Sequence, residues 1–213
     1  MNDGPALIFD FGNVVAHFDY GRAADRLGRS LGITGEDFLR TAREAGFVEL
    51  LKDFESGGMT SEAFHGRIAE LTGLGVGFEE FAAAWADIFR PNPSVHRLIA
   101  SLHRRGHRLV LGSNTNALHA PHFRRQFEEV LRHFDRIVLS HEVGRVKPHP
   151  AFYLACASAA GRPPDECLFI DDLAENVEGA RRAGLTGVLY VDTPRLVRDL
   201  GRLGVDVPTD APA

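Results

Sequence analysis

The sequence is poor in the features that mark secreted, zinc-binding and membrane proteins. Its 213 residues include only two cysteines, Cys156 and Cys167, and no CxxC pair, so neither a disulfide framework nor a structural zinc site is expected. No apolar run approaches the length of a membrane span, and the first residues lack the basic flank of a signal peptide. We therefore expect a cytoplasmic protein without membrane contact.

A basic excess is also missing, since 24 lysines and arginines face 29 acidic residues and the formal net charge is −5. Without that excess, nucleic-acid binding lacks its usual electrostatic basis. The 44% hydrophobic and 25% charged residues are close to the average of globular domains, so the chain can bury a core of its own. We expect a small-molecule partner, no nucleic-acid partner, and a monomer or homodimer.

Five short apolar runs end abruptly at turns, which is typical of buried parallel strands. They occupy residues 5–9, 108–112, 136–139, 167–170 and 187–191. Amphipathic helical patterns separate them, as in residues 93–105, where Gly106 follows in the position that favours a left-handed helix end. This alternation predicts an α/β fold with a Rossmann-like parallel sheet that helices cover on both faces.

One connection between predicted strands is much longer than a crossover requires. Between His17 and about Pro91 there is no convincing strand. Helical segments are predicted at 21–31, 36–45, 47–54, 61–71 and 78–89. Thr34 and Thr60 are the expected N-caps of two of them.

We interpret residues 17–91 as a helical cap domain inserted into a core domain of residues 1–16 and 92–213. Ligands bind at the carboxyl ends of parallel strands, where this insertion begins, so the cap is placed to form a lid. A stabilising bundle far from any ligand is the alternative. The cap aromatics are interpreted mainly as the cap's own core; they are Phe18, Phe47, Phe54, Phe64 and Trp85.

Polar residues that can carry chemistry follow four of the predicted strands. They are Asp10 after the first strand, Ser113 and Asn114 after the second, Lys147 beyond the third, and Asp171 and Asp172 after the fourth. In an open parallel sheet these positions converge on one crevice. Each residue alone is more often a turn, cap or solvated residue, but together and in this order they support a common site.

The charges of this set are unbalanced, because three carboxylates exceed one lysine by two negative charges. The imbalance would force a carboxylate to take up a proton unless a cation binds. A divalent cation restores neutrality, and an all-oxygen ligand set favours Mg²⁺. A carboxylate facing a phosphate monoester can act as nucleophile and form an aspartyl-phosphate. Lysine, the metal and short polar donors would stabilise the transferred phosphoryl group.

The same residues stand in segments that resemble the four ordered motifs of the haloacid dehalogenase-like hydrolase superfamily. The segments are FDFGNV at 9–14, LGSN at 111–114, Lys147-Pro148 and IDD at 170–172. The resemblance extends from Ala6 to about Val191 and includes a helical cap between the first two motifs. Within the superfamily, the chain resembles bacterial α-D-glucose-1-phosphate phosphatases, which are similar in the first motif and in SNTNALH at 113–119.

The resemblance implies a Mg²⁺-dependent phosphomonoester hydrolase that acts on a small sugar phosphate, with α-D-glucose-1-phosphate as the leading candidate. It makes Asp10 the nucleophile and a metal ligand, with the backbone carbonyl of Gly12 as a second ligand. Asp172 would bind the metal directly, and Asp171 would do so through water or more weakly. Ser113 and Asn114 would hold phosphate, and Lys147 would bridge phosphate and Asp10.

Gly12 departs from the pattern of the superfamily. Phosphatases of this kind usually have a second aspartate at that position, which serves as general acid and base. Proton transfer by a placed side chain is worth about 10²–10⁴-fold in rate. We hypothesise that water, His17 or His119 takes over this task.

Two other functions remain open at this point. A 2-haloacid dehalogenase also uses an aspartate nucleophile but needs no metal, so loss of activity with EDTA would separate the two enzymes. A non-catalytic, regulatory phosphate-binding protein is suggested by Gly12. It would be stabilised by phosphate and Mg²⁺ without turnover.

Overall fold

The computed structural model describes residues 4–207. Within this range the strands are β1 (Ala6–Phe9), β2 (Ala16–Phe18), β3 (Phe89–Pro91), β4 (Leu109–Ser113), β5 (Arg136–Leu139), β6 (Cys167–Asp171) and β7 (Thr186–Leu189). Five of them form a parallel sheet in the order β5-β4-β1-β6-β7. The α/β prediction is confirmed, and each predicted strand lies within a residue or two of its expected position.

Strand β1 lies at the centre of the sheet and is buried on both faces. Leu7 pairs with Leu109 of β4 on one side and with Leu168 of β6 on the other. Successive side chains of a strand point to opposite faces. Leu7 and Phe9 therefore join one hydrophobic cluster, whereas Ala6 and Ile8 join a second. Burial on both faces explains why the strand is a continuous apolar run instead of an alternating one.

Helices cover both faces of this sheet and also form the insertion. They are α1 (Tyr20–Ser30), α2 (Gly35–Glu44), α3 (Phe47–Glu55), α4 (Ser61–Thr72), α5 (Phe78–Ala86), α6 (Pro93–Arg104), α7 (His119–Gln126), α8 (Glu128–Leu131), α9 (Ser140–Val143), α10 (Pro150–Ala160), α11 (Ala174–Arg182) and α12 (Thr193–Arg202), with a 3₁₀ turn at Pro164–Glu166. Helices α10 and α11 pack on the face of Ala6 and Ile8, and α6, α8 and α12 pack on the other. Gly106 has φ +78° after α6, as expected.

The inserted segment contains the five predicted helices, α1 to α5. Thr34 and Thr60 cap α2 and α4 by accepting hydrogen bonds from the backbone N–H groups of Asp37 and Ala63. The expectation of no strand in this segment was wrong at its two ends, where β2 and β3 form an antiparallel pair. Strands of three residues are too short to show a period-two pattern, so hydrophobic periodicity does not identify them. Helix α5 ends three residues earlier than predicted because Phe89 pairs with Phe18 in that ribbon.

The cap shares a hydrophobic cluster with one face of the sheet. Phe54, Phe64 and Trp85 are buried in that cluster together with Leu7 and Phe9 of β1. Phe47 is buried as well, so four of the five cap aromatics belong to the core, as expected. Phe18 does not, because it is 39% exposed and faces a cavity beside the strand ends. Within the described residues, no helix has both the length and the apolar character needed to cross a membrane.

Candidate active site

The strand order brings the predicted site residues together. In the sheet, β1 lies between β4 and β6. The chain runs from β1 to β4 and β5 on one side of it and then crosses to β6 and β7 on the other side. Ligands bind at such a point, where the strand order switches direction. A cavity of about 280 Å³ lies there, between the carboxyl ends of the strands and the cap. The floor of this cavity consists of Asp10, Ser113, Asn114, Lys147 and Asp172. Its roof consists of Phe18, Tyr20, Leu51 and Glu55.

Lys147 forms ion pairs with two carboxylates, Asp10 of the floor and Asp171 behind it. Its Nζ lies 2.6 Å from Asp10 Oδ1 and 2.7 Å from Asp171 Oδ2, and all three side chains are buried. Burial alone would lower the pKa of Lys147. The charges of Asp10 and Asp171 and their hydrogen bonds outweigh burial and hold this pKa above its ordinary value. Lys147 is therefore a permanent positive charge beside Asp10.

Asp10 has the environment of a reactive carboxylate. Burial raises its pKa to about 7, Lys147 opposes the rise, and the charges of Asp171 and Asp172 add to it. The backbone N–H of Phe11 donates to Asp10 Oδ1 at 2.7 Å and orients the carboxylate. The positive charge of Lys147 therefore does not outweigh burial and the negative charges of Asp171 and Asp172. A further cation would favour the ionised form of Asp10.

The acidic residues of the site fit a metal ion. Asp10, Asp171 and Asp172 each place a carboxylate oxygen within 4.8 Å of the other two, a spacing that one cation can bridge. Asp171 is fully buried and already accepts hydrogen bonds from Lys147, Leu173 and Asn176.

Asp172 is only partly buried and lines the cavity, and its Oδ2 accepts one bond from Asn13, at 3.1 Å. The side chain of Asp172 thus has fewer partners than that of Asp171, which accepts bonds from Lys147, Leu173 and Asn176. The geometry gives Asp172 more freedom than Asp171 to bind a cation.

Two asparagines of the site had no role in the sequence prediction. Asn13 donates to Asp172, and Asn176 donates to both oxygens of Asp171 at 3.0 and 3.2 Å. Both line the cavity. Asn13 has φ +54°, a left-handed conformation that asparagine tolerates better than most residues. An asparagine directly after a glycine in a turn is the signal that could have revealed its position.

The turn after β4 presents polar groups toward the cavity. Ser113 is buried and lies at its edge. The side chain of Asn114 bonds the backbone of Lys147 in both directions, accepting from its N–H at 2.8 Å and donating to its carbonyl at 3.2 Å. This side chain therefore holds Lys147 in place. Thr115, to which the sequence assigned no role, also lines the cavity, and its Oγ1 is buried without a hydrogen-bond partner among the described residues.

The two histidines considered as proton donors are poorly placed for that task. His119 lines the cavity, but its Nδ1 contacts Asn116 at 3.1 Å and its Nε2 contacts the Trp85 carbonyl at 3.0 Å. Burial lowers the pKa of His119 to about 3, so the ring is neutral and both nitrogens are engaged. His17 is exposed on β2 and lies on a neighbouring groove instead of in the cavity.

The site thus combines a parallel sheet with a buried carboxylate–lysine–carboxylate cluster at its switch point. The chain belongs to the haloacid dehalogenase-like hydrolase family, whose sequence profile matches residues 5–184. The superfamily predicted from the four motifs is therefore confirmed.

Two relatives that match most of this chain are named as phosphatases. A phosphatase of Mycobacterium tuberculosis is 30% identical over 214 residues, which cover 93% of this chain and 94% of the relative. D-ribitol-5-phosphate phosphatase of Bacteroides thetaiotaomicron is 26% identical over 186 residues, 84% of this chain and 87% of that enzyme.

The fold is also similar to that of a haloacid dehalogenase family enzyme of Bacteroides thetaiotaomicron. A variant of that enzyme, crystallised with magnesium and inorganic phosphate, superposes with a TM-score of 0.73 at 25% identity. The match covers 88% of this chain and 94% of that one. None of these three comparisons tests the narrower resemblance to glucose-1-phosphate phosphatases, which stays a prediction.

Proposed function

We propose that the protein is a Mg²⁺-dependent phosphomonoester hydrolase that acts through an aspartyl-phosphate on Asp10. The observation that carries this proposal is the cluster of Asp10, Lys147 and the Asp171-Asp172 pair at the carboxyl ends of the strands, beside the cavity between the sheet and the cap. Relatives named as phosphatases support it, as does the magnesium and phosphate bound to a structural neighbour. The acidic cluster argues against a dehalogenase, which needs no metal.

The metal would be held by Asp10, the backbone carbonyl of Gly12 and Asp172, with Asp171 in a weaker role. Bound there, Mg²⁺ would neutralise the excess carboxylate charge and polarise phosphate oxygens. Asp10 Oδ attacks phosphorus, and the bond from phosphorus to the ester oxygen breaks. Lys147 offsets the charge of the phosphoryl group, and Ser113 with the backbone around Asn114 orients its oxygens. Water then attacks the aspartyl-phosphate and releases inorganic phosphate.

The cavity supports a small substrate. Its volume of about 280 Å³ is just below the range for ligand pockets, roughly 300–1,000 Å³. A phosphorylated sugar or polyol fits this limit, and the ribitol-phosphate relative points the same way. We propose α-D-glucose-1-phosphate and D-ribitol-5-phosphate as the first compounds to test. We also propose that residues 17–91 work as a cap over a core of residues 1–16 and 92–213.

The test is phosphate release from a panel of phosphomonoesters with Mg²⁺, repeated with EDTA and with Asp10→Asn. The matched control is Asp165→Asn, which alters an exposed aspartate in the 3₁₀ turn. We expect metal-dependent release that Asp10→Asn abolishes and Asp165→Asn retains. Halide release from 2-chloropropionate would indicate the dehalogenase. Thermal stabilisation by phosphate and Mg²⁺ without any turnover would indicate the regulatory binding protein.

A further inference from the structure

The place of the usual second acid is crowded in this protein. A Cβ atom added to Gly12 would lie 3.0 and 3.1 Å from two ring carbons of Phe18. Such distances are tighter than ordinary van der Waals contact, so the Phe18 ring would have to shift by a few tenths of an ångström to admit even the first atom of a side chain. Position 12 supplies no proton to the leaving group, and the candidates for this task are the other titratable side chains of the cavity.

Few titratable side chains of the cavity are free for this task among residues 4–207. Asp10 and Asp172 belong to the acidic cluster, Lys147 is paired with two carboxylates, and both ring nitrogens of His119 are bonded. The remaining two lie on the roof, Tyr20 on α1 and Glu55 at the end of α3. Burial, and after it the charge of Glu55, raises the pKa of Tyr20 well above its ordinary value. Tyr20 therefore stays protonated and cannot alternate between acid and base.

The backbone of Glu55 is fixed to the floor of the cavity. The hydroxyl of Ser140, a fully buried residue, lies 2.6 Å from the Glu55 carbonyl and accepts a bond from the Thr115 N–H at 2.9 Å. Two residues further on, a Cβ at Gly57 would lie 2.5 Å from the His141 carbonyl, so only glycine allows this close approach. The end of α3 is thus held directly against the turn proposed to bind phosphate.

We propose that Glu55 is the general acid and base of the reaction, supplied by the cap in place of the residue missing at Gly12. This inference rests on the proposed function. In an in-line displacement the leaving oxygen lies opposite the attacking one, so a phosphate attacked by Asp10 directs its leaving group toward the roof. The Glu55 carboxylic acid gives its proton to the ester oxygen as the phosphorus–oxygen bond breaks, and the alcohol leaves. The Glu55 carboxylate then takes a proton from the water that attacks the aspartyl-phosphate, which restores both side chains.

The surroundings of Glu55 suit this double use. Burial raises its pKa to about 7, and the positive charge of Lys147 opposes the rise. Two titratable groups interact with it electrostatically, Tyr20 from α1 and Lys147 from the core. A carboxyl group with a pKa near the working pH can give up and regain its proton in each cycle.

The test compares Glu55→Gln with wild type on two kinds of ester. For a sugar phosphate, whose alkoxide needs a proton, we expect turnover to fall about 10²–10⁴-fold. For p-nitrophenyl phosphate, whose leaving group needs none, the first step stays fast and the second becomes slow. Rapid mixing then shows a burst of nitrophenolate in the variant. Glu49→Gln, an exposed glutamate on the same helix, is the matched control and should behave as wild type.

Equal rate losses on both esters without a burst, or near-wild-type turnover of the sugar phosphate, would overturn the role of Glu55. Thermal unfolding of each variant shows whether a loss merely reflects misfolding. Glu55→Asp should recover part of the rate because it restores the acid at a shorter reach. If wild type itself hydrolyses no phosphomonoester, the proposed function fails instead. An active wild type with an unaffected Glu55→Gln removes only this inference.

Discussion

On the floor of the cavity, Lys147 lies between Asp10 and Asp171 at 2.6 and 2.7 Å, and each buried charge has a bonded partner. On the roof, Glu55 and Tyr20 face the same space from cap helices, among the apolar side chains of Phe18 and Leu51. The floor is an interlocked polar network, whereas the roof is mostly apolar with one acid. Charge is concentrated where a phosphoryl group would bind, and a single titratable acid lies where a leaving group would depart.

The largest effect on the free energy of unfolding should come from the floor, on removal of Lys147. Lys147→Met leaves Asp10 and Asp171 buried without their cation, which should cost about 3–5 kcal/mol of unfolding free energy at neutral pH. Saturating MgCl₂ should restore part of the loss, because it supplies the missing positive charge. Urea unfolding with and without MgCl₂ measures both effects.

The control is Lys52→Met at the only other lysine, which is exposed on α3. We expect it to change stability by less than about 0.5 kcal/mol. A Lys147→Met protein as stable as wild type without metal would show that the floor does not depend on this ion pair.

On the roof, the contribution of Glu55 to the free energy of unfolding should depend on pH. Its pKa is about 7 in the folded protein against an ordinary 4.5, so the folded state binds the proton more tightly than the unfolded state. The stability that this adds is fully present below pH 4.5 and is lost as pH rises through 7. Glu55→Gln cannot ionise, so its stability relative to wild type should rise across this window, by on the order of 2 kcal/mol.

Urea unfolding of wild type and Glu55→Gln across this pH range measures the rise, with Glu49→Gln as the reference for an exposed glutamate of the same helix. A constant difference between wild type and Glu55→Gln at every pH would contradict the unusual environment of Glu55.

Loss of the Ser140 hydroxyl, which connects Glu55 of the roof with Thr115 beside the floor, should have a smaller effect than loss of Lys147 or Glu55. Ser140→Ala removes the hydroxyl shared by Glu55 and Thr115, which should cost about 1–2 kcal/mol. Turnover of a sugar phosphate should fall less than in Glu55→Gln, and KM should change little, because Glu55 is displaced but still present.

The control is Ser56→Ala, whose hydroxyl bonds Asp53 within the cap. Thermal unfolding and steady-state kinetics distinguish the two serines. Identical behaviour of the Ser140 and Ser56 variants would mean that the floor does not position the roof.

The smallest effect is expected at His17. This residue is exposed on β2 outside the cavity, so His17→Ala should change stability by less than about 0.5 kcal/mol. It should leave turnover and its pH profile unchanged. A shifted pH profile in this variant would return His17 to the set of candidate proton donors and weaken the case for the roof.

Sequence reasoning reached most of the floor but little of the roof. Asp10, Ser113, Lys147 and Asp171 come after apolar runs whose length and abrupt ends identify strands, and parallel strands bring such residues to one edge. Charge balance predicted a cation beside these acids, whereas the placement of Lys147 next to Asp10 was implied by the family resemblance; the ion pair with Asp171 was not predicted. Asn13 and Asn176 were assigned no role because amides add no charge to that balance, although they donate hydrogen bonds to the two acids.

The five helices of the inserted segment were predicted correctly, but the side chains that they present to the cavity were not. Phe18 was interpreted as core, and Glu55 drew no attention, because a glutamate at a helix end is most often solvated. Which residue faces a cavity depends on how separate helices pack, and hydrophobic periodicity does not encode that arrangement.

By itself, then, the sequence determined the parallel sheet, the inserted helices, and the acids and lysine at the strand ends, because each depends on local periodicity or on the order of strands. Only the tertiary structure decided that the Phe18 ring lies against Gly12 and that Glu55 lines the same cavity as Lys147. These contacts join residues from separate elements whose relative placement comes from packing of the whole cap on the sheet. Ser140 and Gly57 set that placement through contacts of a few ångströms, which no local pattern in the chain records.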